Sequence, residues 1–598
     1  MVRVALLICC VSLRLAGSDS ARTLADFDGP SPLEGWTFAG DRGFSGAGSS
    51  LNRGPGHSGQ GAVVAYQFPC SATGGCWGSV AATWTPVQPL PTKHRAAISL
   101  WIRALPEVKL ALLVRDKNEG VRRYPFEAVT LEHPAGEWRQ VVVPLAAKST
   151  GYWDDDHNGA PQGRILSIAI QVEPRFPQGL RGSLSFDDLR LLDSPDQTFD
   201  LRPDLPLSPP PAGSSKLVPR LGVNVHRLED EGMAAQVHDG GFSFVRADLL
   251  WRQVEHNGRF RFFPYDRLLA SLETKSLGAL WILDYGHPQH GGNVPPTRAD
   301  VEAFAHYAAA VASHFKGHSV RYEIWNEPDT DRFWPPRPNP REYAALLREA
   351  VAAIHQADPS AKVSSGGLSG IDLPFLAATS SAGGTAGIDA AAVHPYRRLA
   401  PETLAAEVPV LRDFLTRAIG RSVEIWDTEW GYASYDYFSQ NLRGDGHSEP
   451  GRHRQAVLTA RELLTVWSLG IPLAVWYDLR DDGDDPKSPE HNYGLFDSKN
   501  VEKPAMKAVR YLASIAANRT FTGMVREVPD GVHVMRLEGG DGAVFVIWND
   551  QPDGRVTARF PKDAQASATN LTGGPLKLKG PQIDLAEVEG PVYVRFEK

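Results

Sequence analysis

Between residues 217 and 516, eight short strand-like runs alternate with helix-length amphipathic segments, and no other feature of the chain narrows its fold so far. The runs are Leu221 to His226, Phe242 to Ala247, Ala279 to Tyr285, Arg321 to Glu327, Lys362 to Gly367, Ala390 to Tyr396, Val423 to Glu429 and Leu473 to Leu479. Helical periodicity marks Val301 to Phe315, Arg341 to Gln356, Leu404 to Arg417 and Arg454 to Leu469. This alternation predicts an α/β fold with parallel strands, a (β/α)8 TIM barrel. A doubly wound open sheet is the competitor, but it would carry a glycine-rich loop after its first strand, and none is present.

The flanks read differently, as they must in a chain of 598 residues, which is too long for one core. From 21 to 195, runs such as Ile98-Ser99-Leu100-Trp101-Ile102 and Leu110-Ala111-Leu112-Leu113-Val114 are separated by Gly, Pro and Asp, the pattern of a β-sandwich. Its Asp26-Phe27-Asp28-Gly29, Gly136-Glu137-Trp138-Arg139 and Ser185-Phe186-Asp187-Asp188-Leu189 segments resemble those of bacterial carbohydrate-binding jelly rolls. Within it, Asp154, Asp156 and Asn158 before Gly159 match the first half of a calcium loop. Ile165 stands where the bidentate glutamate belongs, which favours a solvated acidic loop. Residues 196–216, rich in proline, read as a linker that spaces domains. Residues 517–598 return to β patterning, with Asp530-Gly531, Asp541-Gly542 and Asp553-Gly554 as hairpin turns of a small C-terminal β-sandwich domain.

Residues 1–20 have the layout of a secretory signal peptide: Arg3, an apolar run, then Ala16, Gly17 and Ser18. The run is interrupted by Arg14 and is too short to span a bilayer. A membrane anchor lipidated at Cys9 or Cys10 is the runner-up reading, with Ile8 a poor neighbour for the cleavage it needs. The protein is expected to be secreted or periplasmic, with no membrane insertion after signal removal. Cys70 and Cys76 would then remain, as a disulfide or as two free thiols. A formal charge of −8 gives no reason to expect nucleic acid as a partner.

Two barrel runs end in glutamate. Pro328, which cannot donate to a sheet ladder, stops the run that carries Glu327. The 102 residues from Glu327 to Glu429 make three βα units of about 34 residues each. Both carboxylates are thereby expected on the C-terminal face, where barrels keep their chemistry. Two carboxylates across a barrel mouth suit glycoside hydrolysis, one protonated for the leaving oxygen and the other ionised.

Trp325-Asn326-Glu327-Pro328 and Thr428-Glu429-Trp430-Gly431 resemble the two catalytic motifs of clan A retaining glycoside hydrolases, family 39 first and family 5-like barrels next. The likeness runs from Gly222-Val223-Asn224 through Tyr493-Gly494-Leu495-Phe496-Asp497. It implies that Glu327 is the general acid/base and Glu429 the nucleophile. It further implies that Asn326 binds the sugar 2-hydroxyl, that Arg246 and Tyr396 contact the nucleophile, that His394 belongs to the substrate site and that Trp476 is a sugar-stacking platform. Tyr285, Trp334, Trp430 and Tyr432 are rim aromatics, subsites or packing. Glu323 is expected lower in the barrel, serving structure. The run Asp481-Asp482-Gly483-Asp484-Asp485 puts four carboxylates on an active-face loop, either solvated or recognising a cationic sugar.

The expectation is a retaining glycosidase that cleaves O-glycosidic bonds of a polysaccharide or oligosaccharide, secreted exopolysaccharides included, and needs no metal or organic cofactor. The rivals are a transglycosylase using the same carboxylates and a catalytically inactive carbohydrate-binding or adhesive protein.

Overall fold

The computed structural model of the chain describes residues 21–596 apart from 41–48, 69–78, 92–94, 106–107, 117–120, 128–135, 146–151, 154–163, 175–179, 194–196, 218–219, 231, 293, 295–296, 398–399, 436–444, 530, 551–555, 563, 586–587 and 589. The leader, Cys70, Cys76 and the calcium candidates Asp154, Asp156 and Asn158 lie outside the described residues.

Eight parallel strands close into a barrel in chain order: β1 (Leu221–Asn224), β2 (Phe244–Leu250), β3 (Gly278–Asp284), β4 (Val320–Asn326), β5 (Val363–Ser369), β6 (Ala390–His394), β7 (Glu424–Trp430) and β8 (Leu473–Trp476). Helices cover the outside, so the strands are buried on both faces and read as apolar runs; every residue of β3 is buried. The interior is plugged by Phe244, Leu280, Ala390, Trp426, Leu473 and Val475. Gly222 on β1 makes room for one of these rings, since a Cβ there would meet Phe244 at 2.2 Å.

The helices start where side chains satisfy orphan backbone N–H groups. Thr297 and Asp300 form a reciprocal capping box on α1 (Arg298–His314). Asn339 accepts from Arg341 N and Glu342 N at the start of α2 (Pro340–Ala357), and Ser448 caps α3 (Glu449–Ser468). Periodicity missed the helices Met233–Asp239, Phe263–Glu273, Leu373–Ser381 and Pro504–Ala517, and the single helical turn Trp251–Val254.

The N-terminal unit is a sandwich of two antiparallel sheets around its own core, which includes Val64, Leu100, Ile102, Leu112, Ile170 and Phe186. The C-terminal unit packs a six-stranded sheet and a three-stranded sheet around Val534, Phe545, Ile547 and Val594. The expected linker proves to be part of this unit. Gln197–Asp200 pairs in parallel with Val556–Arg559, Leu207–Ser208 pairs with Arg519–Val525, and Phe199, Leu201 and Leu205 are buried in the same core. The leucines between the prolines supply apolar area that a solvated spacer would leave exposed. Trp548 Nε1 donates to Glu402 Oε1 at 2.8 Å and so ties this unit to the barrel, where Arg461 also holds Glu402. No helix among the described residues is long and apolar enough to cross a membrane.

Candidate active site

The C-terminal ends of the strands converge on Arg246 of β2, which is 2 % exposed. All five of its N–H groups have acceptors. Nε and Nη2 donate to Glu323 at 3.1 and 2.9 Å, and Nη2 also donates to Asn326 Oδ1 at 3.0 Å. Nη1 donates to Asn224 Oδ1 at 3.1 Å and to Glu429 Oε2 at 2.7 Å. A planar guanidinium with five fixed donors suits this task, and a lysine could not replace it. Arg246 therefore links β1, β2, β4 and β7 in one polar layer.

Glu429 is partly open to the mouth, and its other oxygen accepts from the Tyr396 hydroxyl at 3.0 Å. Burial raises the affinity of this carboxyl for a proton, but the charges of His394 and Arg246 and the two hydrogen bonds outweigh it and hold Glu429 below its ordinary value. Glu323 also feels burial first, yet Arg246 and His394 bring it down to about 2. Glu323 further accepts from Gly367 N at 3.0 Å.

Glu327 lies just past β4, and a carboxylate oxygen of Glu327 is within 4.8 Å of one of Glu429. The strand end is twisted: Trp325 and Glu327 have φ of 77° and 42°, a left-handed backbone that costs a side-chain-bearing residue about 1–3 kcal/mol. Packing overrides that cost. Trp325 is fully buried against Trp334 and Phe304 and donates to Phe333 O at 3.0 Å, while Glu327 N donates to Gly367 O at 3.0 Å.

His394 ends β6 with no exposed surface, its Nδ1 3.1 Å from Glu327 Oε1. Gly367 leaves space for it, because a Cβ there would lie 2.0 Å from Nε2. Burial opposes a proton on this ring, but Glu429, Glu323 and Glu327 hold the imidazole up at about 9. A protonated ring cannot accept from Arg246 Nη2, 3.3 Å from Nε2; the two cations are kept together by Glu323, whose Oε1 lies 3.8 Å from Nε2.

The structure thus brings Asn326, Arg246, Glu327, His394, Tyr396 and Glu429 into one layer, with His394 sealed behind it rather than open to a ligand. Trp476 and Trp430 are corrections: both are fully buried. Arg397 covers the Trp430 ring at 5.3 Å, and Trp476 lies inside the β7–β8 pairing, where Trp430 is its partner. Side chains alternate along a strand, so the residue after Trp476 faces the other way. That residue, Tyr477, is half-buried and clusters edge-on with Tyr396 and Tyr493 at centroid distances of 6.4 and 5.3 Å. Trp334 and Tyr432 are buried as well, whereas Tyr285 is half-buried and stacks on Phe333 at 5.7 Å.

The acidic run also divides. Asp481 is buried with Lys503 at 2.6 Å, Asp484 accepts from Ser498 at 3.0 Å, and Asp485 accepts from Lys487 N at 2.9 Å. Asp482 alone reaches across the mouth, to His226 at 2.9 Å. Reading the sequence missed Asn224, the anchoring role of Glu323, and the His226–Asp482 pair. A polar residue ending an otherwise apolar β1 run was the available signal for Asn224.

No protein-family model matches the chain, and no curated protein matches it in sequence. Solved structures do match. A family 39 glycoside hydrolase from the gut symbiont Bacteroides cellulosilyticus WH2 is 18 % identical, with 82 % of this chain and 95 % of that one covered at a TM-score of 0.53. A family 39 β-xylosidase from Caulobacter crescentus is 18 % identical over 67 % of this chain and 99 % of its own, with a TM-score of 0.49. A family 11 carbohydrate-binding module from Clostridium thermocellum is 16 % identical over 30 % of this chain and 98 % of its own, with a TM-score of 0.23. The chain has the fold of the clan A glycoside hydrolases of family 39, a TIM barrel flanked by β-sheet domains.

Proposed function

We propose that this protein is a retaining glycoside hydrolase acting on a polysaccharide or oligosaccharide. The observation that carries the proposal is the unequal pair of carboxylates, with oxygens within 4.8 Å of one another. Retaining glycosidases hold their two carboxyl groups about 5–5.5 Å apart, inverting ones about 6.5–9.5 Å to admit a water. Arg246 and Tyr396 both hydrogen-bond Glu429 and favour its ionised form, as a nucleophile requires. Neither reaches Glu327, which is left for the acid/base role.

In this mechanism Glu429 attacks C1 of the sugar while Glu327 gives its proton to the leaving oxygen. Glu327 then takes a proton from water, which attacks C1 and releases Glu429. Asn326 keeps its amide oxygen on Arg246, so its NH2 is free to donate to the sugar 2-hydroxyl as charge develops at C1. Tyr477, with Tyr396 and Tyr493, supplies the aromatic wall for the ring in place of Trp476. The leader-like residues 1–20 support export, which N-terminal sequencing of the mature protein would check.

Incubation with a panel of 2-fluoro glycosyl fluorides, followed by peptide mass mapping, tests the assignment. One glycosyl unit is expected on the peptide containing Glu429. Labelling elsewhere, or inversion at C1 in the hydrolysis product, would overturn it.

A further inference from the structure

We propose that His226, Asp478 and Asp482 form a binding site for a divalent transition-metal ion at the barrel mouth, fastening the end of β1 to the segment after β8. Their donor atoms all lie within 4.8 Å of one another. His226 Nδ1 is 2.9 Å from each Asp482 oxygen and 3.7 Å from Asp478 Oδ2. Around an ion with bonds of about 2.1 Å, donors at neighbouring corners sit about 3.0–3.5 Å apart, so the trio is already close to a coordination shell.

A separate observation concerns Asp478 alone. It is 3 % exposed, and its Oδ1 has no hydrogen-bond partner among the described residues. A buried carboxylate is ordinarily paired, because leaving it unpaired in a dry site is costly. The nearest cation, His226, is already engaged by both oxygens of Asp482, and at 3.7 Å it is beyond hydrogen-bond reach of Asp478. A cation held between Asp478 and Asp482 would supply the partner that Asp478 Oδ1 lacks.

Access is available. His226 and Asp248 line a cavity of about 750 Å³ between the β1 and β2 ends, which gives an ion an entry path and leaves room for water in the remaining coordination positions. The donor set, one imidazole with carboxylates, suits Zn2+ or Mn2+ rather than Ca2+, which prefers oxygen alone. Binding uses the Nδ1 lone pair, so the imidazolium proton leaves to solvent as the ion enters. The other convergent trio, Glu327, His394 and Glu429, is no rival. Arg246 and Tyr396 already occupy Glu429, and His394 is sealed.

The test is titration calorimetry of the full chain, freed of metal by chelator dialysis, with MnCl2 and separately with ZnCl2. Wild type is expected to bind one ion per chain, and Asp482→Asn to bind it at least about tenfold more weakly. Asp478→Asn should do the same; should it fail to fold, the partly exposed Asp482 still carries the test. Asp484→Asn, in the same loop but held by Ser498, should bind as wild type does. No saturable binding of either ion by wild type would overturn the proposal. Equal weakening by Asp482→Asn and Asp484→Asn would also overturn it, as it would indicate a diffuse acidic surface. The readout is binding, so the glycosidase assignment can fail without touching it.

Discussion

The tripeptide Glu-Ile-Trp occurs twice in the barrel, at 323–325 on β4 and at 424–426 on β7, and its two copies have opposite fates. Glu323 has no exposed surface and grips Arg246 with both oxygens, while Glu424 is an exposed first residue of its strand. Trp325 leaves the barrel to pack against Phe304 and Trp334, whereas Trp426 fills the interior beside Phe244 and Leu280. Glu424 and Trp426 are two residues apart on one face and bonded to each other, so Glu424 points inward as Glu323 does. The left-handed backbone at Trp325, with φ of 77°, breaks the alternation on β4 and turns its indole out of the barrel. Glu323 precedes Glu327 by four residues and Glu424 precedes Glu429 by five, so Glu424 starts one step lower. Height and backbone twist, rather than local sequence, decide whether a carboxylate belongs to the site.

The strand ends themselves should dominate the energetics of turnover. Glu429→Gln removes the nucleophile and is expected to lower kcat by at least about 10³-fold with the fold retained. Hydrolysis rates and a thermal melt would check both halves of that statement. Glu323→Gln comes next. It strips the counter-charge from a buried arginine and should cost about 3–5 kcal/mol in denaturant unfolding, with loss of activity as Arg246 shifts. The pH dependence carries a sign. Glu323 is held at about 2 against an ordinary 4.5, so its stabilisation is full above pH 4.5 and is lost as pH falls toward 2. In Glu323→Gln that acid-side decline should flatten. His394 behaves oppositely: with its folded value at about 9, its contribution is full below 6.5 and is lost as pH rises through 9.

Much of the barrel was legible because burial on both faces writes strands as continuous apolar runs, and Pro328 marks where one ends. Both mouth carboxylates were legible for the same reason. What was not legible depends on partners far away in sequence. Asp482 and His226 meet across 256 positions. Leu201 and Leu205 sit among prolines whose composition argues for solvent, yet the core that buries them is built mostly from residues beyond 500. Trp476 differs from Tyr477 by one step of the pleat, and only the register with β7 shows which of them faces the mouth.

Tyr396→Phe tests how far the Glu429 side of the comparison rests on a single hydroxyl. The bond is charge-assisted, and its loss should cost about 10-fold in kcat/KM. Because that hydroxyl helps to hold Glu429 low, the acid limb of the rate profile should move to higher pH in the variant. An unmoved limb would mean that Arg246 and His394 alone set the nucleophile.

The smallest effect is expected from the other copy of the tripeptide. Glu424 accepts from Trp426 Nε1 at 2.7 Å, but it does so from an exposed position at the first residue of β7. Phe244, Leu280, Ala390, Leu473 and Val475 hold the indole in place by packing, whatever its N–H does. Glu424→Gln should therefore change stability by less than about 1 kcal/mol and leave turnover unaltered. Should Glu424→Gln instead match Glu323→Gln in its cost, height in the barrel would not be what separates the two glutamates, and the anchoring role given to Glu323 would have to be sought in the tripeptide itself.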